Sequence, residues 1–262
     1  PASSPAAAVN LARGARVLAI DGIDLVNTNV SAEIDRLNDA LAPFASGQSH
    51  AFTVQDPGGG PQRTVSMTSA NVTSTPVQAV RTFPTASGPV GYLLFNDHIA
   101  TSEAGLVNAI TTLRDAGVVD LVLDVRYNGG GFLDIASELA YMIAGNARTS
   151  GRTFELLQFN DQHTVRNPVT GETLAPLPFH STAEGFSVAP GTALPALNLG
   201  RVYVLTGSGT CSASESIINS LRGVDVEVIQ IGSTTCGKPY GFYPTDNCGT
   251  TYFTIQFAGV NE

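Results

Sequence analysis

The stretch that decides the fold spans residues 121–131 and reads LVLDVRYNGGG. Its first half is almost entirely apolar, which predicts a buried strand. The three glycines that follow allow another backbone to come close and offer free amide groups above the end of the strand. Next comes a predicted amphipathic helix, with Ile135, Leu139 and Ile143 on one face and Gly145 at its end.

The same alternation of strand and helix continues on both sides of this stretch. Upstream, a predicted strand at 90–95 precedes a helix whose Leu106, Ile110 and Leu113 share one face. Downstream, apolar periodicity predicts strands at 202–205 and 226–231, a helix at 212–221 between them, and a final hairpin at 241–257. Alternating strands and helices indicate a mixed α/β core.

The first part of the chain has a different pattern. An apolar strand at 16–22 runs into an Asp-Gly turn, and a short helix with Ile34, Leu37 and Leu41 on one face follows. Two short strands, 51–55 and 64–67, then form a predicted hairpin. We therefore predict a β-rich module at 1–74, a linker at 75–84 that lacks periodicity, and a second domain at 85–262.

Composition excludes several classes of function. The chain has 262 residues and a net charge of -9, so it does not resemble a protein that neutralises a phosphate backbone. No apolar run is long enough to span a membrane, and no signal peptide is visible. The Gly-rich stretch 129–131 fits neither common nucleotide-binding pattern. We expect no nucleic acid, no integral membrane segment and no cofactor.

Three cysteines, Cys211, Cys236 and Cys248, lack the spacing of zinc sites, so no metal is expected. Cys236 and Cys248 flank a stretch rich in Gly, Pro, Asp and Asn. This suits a hairpin closed by a disulfide in an oxidising compartment, and the alternative is two unpaired thiols.

Lysine usage is unusual, because the chain has twelve Arg and a single Lys, Lys238. Arg cannot lose its proton in a protein, whereas a desolvated Lys can become neutral and basic near pH 7. The single Lys thus indicates a task that Arg cannot perform, unless it is a chance survivor of a codon bias.

A candidate nucleophile lies at the second joint between a strand and a helix, where residues 210–215 read TCSASE. Ser212 is placed there at the start of a helix, where backbone amides and the helix dipole favour developing negative charge. Cys211 and Ser214 are the rival nucleophiles. A packed or disulfide-bonded role for Cys211 and a capping contact for Ser214 are the simpler interpretations.

Three motifs, LVLDVRYNGGG at 121–131, TCSASE at 210–215 and CGK at 236–238, together resemble the tail-specific or C-terminal processing proteases, peptidase family S41. The resemblance implies a core similar to the crotonase and ClpP-like fold. It implies Ser212 as nucleophile, Lys238 as general base, and an oxyanion hole from the amide of Ala213 and one from Gly129 or Gly130. Glu215 matches a family position that hydrogen-bonds within the site. The spacing between Ser212 and Lys238 is one residue longer than is usual in the family.

The module at 1–74 resembles the later part of a PDZ domain, through Ser4-Pro5-Ala6 and Arg13-Gly14-Ala15-Arg16. Ala15 replaces the Asp that is usual there. In this family the strand and loop that hold a peptide carboxylate would lie before residue 1.

These resemblances imply a serine endopeptidase that forms an acyl-enzyme and cuts flexible or unfolded polypeptides near their C-termini, in a periplasmic or secreted location. Two alternatives stay open: a non-catalytic ligand- or peptide-binding protein on the same fold, and a PDZ-like adaptor whose second domain is a scaffold. The sequence leaves the oligomeric state open.

Overall fold

The computed structural model describes residues 3–260 and divides the chain into two compact units, Pro1–Ser74 and Thr75–Glu262. The first unit contains a four-stranded antiparallel sheet in the order β2-β1-β3-β4. Its elements are α1 (Pro5–Ala8), β1 (Arg16–Ile20), β2 (Ile23–Asp24), α2 (Ser31–Leu41), β3 (Ser49–Gln55) and β4 (Gln62–Thr68).

A tight turn and a small core hold the first unit together. Asp21 and Gly22 both have positive φ, which suits the two-residue turn between β1 and β2. The Asp21 carboxylate is fixed by the Ala51 amide at 2.8 Å and by His50 Nδ1 at 2.7 Å. The core consists of five apolar side chains from β1, α2 and β3: Ile20, Leu37, Ala40, Phe52 and Val54.

The second unit is built around a five-stranded sheet in the order β11-β10-β7-β6-β5, in which only β5 runs antiparallel. Its strands are β5 (Val77–Thr85), β6 (Gly88–Phe95), β7 (Asp120–Asp124), β10 (Arg201–Thr206) and β11 (Glu227–Gly232). Helices α3 (Ser102–Asp115), α4 (Leu133–Ala144) and α6 (Ala213–Gly223) connect them, and α5 (Asn146–Thr149) follows α4. The predicted mixed α/β fold is confirmed.

The remaining strands form smaller sheets. β12 (Tyr240–Gly241), β15 (Phe257–Val260), β8 (Thr153–Gln158) and β9 (Leu177–Pro178) make an antiparallel sheet in that order. β13 (Thr245–Asn247) and β14 (Thr250–Tyr252) make a separate hairpin.

The segment 75–84 differs from its predicted form. It was expected to be a linker, but most of it lies in β5, which pairs along its length with β6. The Thr and Pro residues of this segment do not follow a strand pattern, so the sequence did not predict a strand. An edge strand needs backbone pairing on one side only, and it therefore tolerates Pro84 opposite Pro89 at the end of the ladder.

Helix α4 packs in the core of the second unit, and every residue from 135 to 144 is buried, including the polar Glu138. Glu138 faces Glu103 of α3, which is also fully buried. Glu103 accepts hydrogen bonds from the amides of Gly185, Ser187 and Val188, so the two carboxyl groups anchor a long surface loop. Burial, reinforced by the charge of Glu103, raises the pKa of Glu138 to about 8.

The raised pKa of Glu138 predicts a pH-dependent stability. In the unfolded chain Glu138 loses its proton near pH 4.3, whereas the folded protein keeps it to about pH 8, so stability falls as pH rises through this window. Glu138→Gln has no proton to lose. It should therefore be more stable than the parent at pH 8.5 by roughly 2–4 kcal/mol, with a smaller gain at pH 5.

Urea unfolding at both pH values measures this difference, and the exposed Glu227→Gln provides the matched control. If Glu138→Gln and the parent lost stability in parallel between pH 5 and 8.5, a neutral Glu138 in the folded protein would be ruled out.

Candidate active site

Two loops meet at one edge of the main sheet. β7 and β10 are parallel neighbours, with Leu123 paired to Val204 and Asp124 to Leu205, so their carboxyl ends lie side by side. The loops that leave these ends carry the glycines at 129–131 and the segment leading to Ser212. In open α/β sheets, this edge is where ligands and reacting groups are placed.

Ser212 lies at the turn between the second loop and α6, in the N-cap position of the helix. Its backbone has φ 58° and ψ -122°, a conformation that a residue other than glycine adopts only with strain. This sharp turn leaves the side chain half-buried at the positive end of the helix dipole. A strand-to-helix turn of this kind is where nucleophilic serines of some hydrolases lie.

Gly130 brings the first loop against Ser212. A Cβ placed on Gly130 would lie 2.7 Å from Cβ of Ser212 and 2.8 Å from the carbonyl oxygen of Cys211. Its φ of +97° also favours glycine. Only a residue without a side chain therefore permits this close approach of the two loops.

Asn128 is the buried hub of this arrangement. Its Oδ1 accepts hydrogen bonds from the Gly130 amide at 3.0 Å and from His98 Nδ1 at 2.9 Å. Its main-chain oxygen accepts from the Cys211 amide and from Ser214 Oγ, both at 3.1 Å. One residue thus fixes both loops, and the Gly130 amide is occupied by Asn128, whereas no acceptor is described for the amides of Gly129 and Ala213.

His98 is fully buried and lies against the glycine loop. Asn128 Nδ2 donates to the carbonyl of Phe95, so Asn128 Oδ1 is an acceptor and His98 Nδ1 carries the proton. Burial lowers the pKa of His98 to about 4 and keeps the ring neutral. The backbone of His98 also bonds to Gly130 and Phe132 on either side of Gly131.

Glu215 connects the segments of the predicted nucleophile and the predicted base. Its Oε2 accepts from the Ser212 amide at 2.8 Å and from the Lys238 amide at 2.9 Å, and its Oε1 accepts from the Gly237 amide at 2.7 Å. Burial opposes ionisation of Glu215, but hydrogen bonds from Thr235 and these amides outweigh it and hold the pKa of the carboxyl below its usual value. Glu215 is therefore an ionised clamp on the backbone.

The side chain of Lys238 points to an aromatic ring instead of the serine. Its Nζ lies over the ring of Phe242, 4.6 Å from the centroid, in the geometry of a cation–π contact. Among the described residues no hydrogen bond joins Lys238 to Ser212 Oγ. The structure thus brings the two backbones together through Glu215 and leaves the side chains apart.

The predicted disulfide between Cys236 and Cys248 is wrong. Cys236 is bonded to Cys211, with their Cα atoms 5.2 Å apart, and Cys248 is free and exposed. The strands β10 and β11 end at the same edge of the sheet, which brings the segments after them together. Cys248 instead occupies, with Gly249, the two-residue turn of the β13–β14 hairpin, where both residues have positive φ.

One cluster in the described part of the chain has the composition of a metal site, and it consists of Cys211, Glu215 and Cys236. The disulfide consumes both thiols, which leaves Glu215 as the one ionised ligand. This arrangement does not fit a resident metal.

Sequence reasoning missed the roles of Asn128 and His98, and it gave Cys211 a packed or disulfide-bonded role without identifying Cys236 as its partner. Asn128 directly precedes the three glycines, and an Asn at that place is a usable signal for a side chain that fixes a loop. His98 gave no comparable signal, and the partner of Cys211 could not be identified, because in both cases the partner is distant in sequence.

Two curated proteins are similar to this chain in sequence. A curated carboxyl-terminal-processing protease from Picosynechococcus sp. is 26% identical over 235 residues, which is 90% of this chain and 48% of the relative. A chloroplastic C-terminal processing peptidase from Tetradesmus obliquus is 28% identical over 189 residues, 67% of this chain and 34% of the relative. The chain therefore spans less than half the length of these two relatives.

Solved structures share the fold. A putative S41 protease from Bacteroides fragilis has a TM-score of 0.69 at 24% identity, covering 99% of this chain and 64% of the other. A photosystem II D1 C-terminal processing protease has a TM-score of 0.51 at 21% identity, covering 98% and 61%. The family model for peptidase family S41 matches residues 89–242, which include Asn128, Ser212 and Lys238. The chain belongs to peptidase family S41.

Proposed function

We propose that this chain is a serine endopeptidase that cuts flexible polypeptides near their C-termini through an acyl-enzyme, with Ser212 as nucleophile and Lys238 as general base. The observation that carries the proposal is the position of Ser212, on a strained turn at the start of α6 and against Gly130. Glu215 adds support, because one of its oxygens binds the amides of both Ser212 and Lys238.

The reaction follows from these positions. Lys238 must leave Phe242 and reach Ser212 Oγ as a neutral amine, which its flexible stem allows. It takes the proton of Ser212 while Oγ attacks the substrate carbonyl, and then gives the proton to the leaving amine. The amides of Ala213 and Gly129 stabilise the oxyanion, since Gly130 already donates to Asn128. Water then releases the acyl group.

Substrate class and location are part of the same proposal. The names of the curated relatives describe processing at a carboxyl terminus. The antiparallel sheet and α2 of the first unit support its assignment as the later part of a PDZ-like module, a class of domain that binds peptide termini. The Cys211–Cys236 disulfide favours an oxidising, extracytoplasmic compartment. Among residues 3–260, no helix is both long and apolar enough to cross a bilayer.

The proposal is tested by labelling the protein with a fluorophosphonate and locating the adduct by mass spectrometry. We expect one adduct, on Ser212, and cleavage of an unstructured peptide with a free carboxyl terminus faster than of its amidated twin. A folded protein that neither accepts the label nor cleaves either peptide would overturn the proposal and favour the binding-protein alternative.

Gly130→Ala should damage the site through steric contact and through the positive φ of this position. The added methyl group meets Ser212 Cβ and the Cys211 carbonyl, so the two loops must separate. Because a displacement of about 1 Å can cost about 100-fold in rate, labelling of Ser212 should slow by roughly that factor. The matched control is Gly129→Ala, where the new methyl group meets open space at an ordinary φ. Equal rates for the two variants would contradict the proposed packing.

A further inference from the structure

The disulfide joins the two segments that carry the proposed catalytic pair. Cys211 directly precedes Ser212, and Cys236 lies two residues before Lys238. We infer that Cys211 and Cys236 are positioning residues for this pair, and that reduction of their disulfide slows acylation of Ser212. The inference rests on the proposed function and adds a dependence on the thiol redox state.

The nucleophile side of the bridge is anchored without the disulfide. The Cys211 amide donates to the main-chain oxygen of Asn128, which is fully buried, and Ser214 Oγ donates to the same oxygen. Helix α6 then packs Ala213 and Ile217 into the core of the second unit. Ser212 should therefore keep its place when the bridge is opened.

The base side is held much more weakly. Residues 233–239 form no helix or strand, and Cys236 and Gly237 are exposed. Apart from the disulfide, the bonds described for the segment 236–238 run from the Cys236 amide to the Thr210 carbonyl, at 3.0 Å, and from the Gly237 and Lys238 amides to Glu215. Lys238 Nζ also contacts the Phe242 ring, and the adjoining Pro239 carbonyl accepts from the Gly259 amide. An exposed segment held by a few backbone hydrogen bonds opens easily, and a cross-link that closes a loop limits such opening.

Glu215 determines whether Ser212 or Lys238 is displaced when the disulfide is opened. It also accepts from the Ser212 amide and lies on α6, so it stays with the nucleophile when the segment 236–238 moves away. Opening the bridge thus withdraws Lys238 and preserves Ser212. The expected defect is a loss of general-base assistance in a protein whose fold persists.

The chemical step is a thiol–disulfide exchange with a dithiol reductant. A thiolate of the dithiol attacks one sulfur of the Cys211–Cys236 bridge, and the second thiol resolves the mixed disulfide. Two electrons and two protons pass to the protein, which gains two thiols, and the dithiol becomes a disulfide. An oxidant of the disulfide class reverses the step.

The test uses the whole chain with Cys248→Ser, which removes the free thiol at the hairpin tip and leaves both segments untouched. Fluorophosphonate labelling rates are compared for the oxidised form, the form reduced with dithiothreitol, and the reoxidised form. Base catalysis contributes about 10²–10⁴-fold, so reduction should slow labelling at least ~10-fold and reoxidation should restore it. The variant that also carries C211A and C236A should show the slow rate with or without reductant.

A pH–rate profile separates this role from a purely structural one. The oxidised form should show the ionisation of a catalytic base, and the reduced form should lose it and become first order in hydroxide. Equal labelling of Ser212 in both forms, with two thiols titrated after reduction, would overturn the inference and leave the proposed function standing. A decline that only parallels lost circular dichroism would overturn it as well. Absence of labelling in both forms would remove the proposed function and the inference together.

Discussion

Replacing Ser212 with alanine is expected to reduce peptide cleavage by roughly 10⁴–10⁶-fold and to abolish fluorophosphonate labelling. In the proposed mechanism the hydroxyl oxygen of Ser212 forms the acyl-enzyme, and among the described residues neither of the two rival nucleophiles can replace it. Cys211 is in a disulfide, and Ser214 Oγ is buried and donates to the Asn128 carbonyl. Cleavage is measured by mass spectrometry of an unstructured peptide under single-turnover conditions.

Ser214→Ala is the matched control, because it removes a hydroxyl two residues away on the same helix. It should keep the adduct on Ser212, although it removes one of the bonds that Asn128 accepts. An adduct that persists in Ser212→Ala and disappears in Ser214→Ala would reassign the nucleophile.

Replacing Lys238 with arginine has the second largest expected effect, a loss of about 10²–10⁴-fold in the rate of acylation. Arginine keeps the positive charge and can stack on Phe242 as Lys238 does, but it cannot accept a proton. The variant also keeps the main-chain amide that donates to Glu215. The substitution therefore removes the proposed base and leaves the charge and the backbone amide in place.

The rate of Ser212 labelling in Lys238→Arg provides the measurement, and its thermal midpoint provides the control. The midpoint should stay within a few degrees of the parent, because the side chain is only half-buried. Labelling within a few-fold of the parent rate would show that Lys238 is not the base, whatever the fate of the nucleophile.

The elements with strong local patterns could be predicted from the sequence. The strand, glycine and helix order around 121–145 and the helix after Ser212 follow from apolar periodicity and turn residues, and both are present. The resemblance to peptidase family S41 implied that the glycine loop and the Ser212 turn share one site, and the pairing of β7 with β10 brings them together.

The features that depend on distant pairing could not be predicted. The Cys211–Cys236 bridge arises because β10 and β11 are neighbours, whereas the local composition favoured Cys236–Cys248. β5 was not predicted because its residues have no strand pattern of their own, and the strand is stabilised by its hydrogen bonds with β6. The contact of Lys238 with Phe242 depends on the side-chain rotamer of Lys238, which the spacing of the motifs does not determine.

The backbone conformation of Ser212 lowers the stability of the fold while it places the side chain for the proposed reaction. A non-glycine residue in such a conformation costs about 1–3 kcal/mol, and the surrounding hydrogen bonds must supply that energy in every folded molecule. Selection for a more robust chain would favour glycine at this position, and selection for chemistry would retain serine. A serine that is retained despite this strain indicates that its hydroxyl has a function. A related chain with glycine at this position would be expected to lack the proposed peptidase activity.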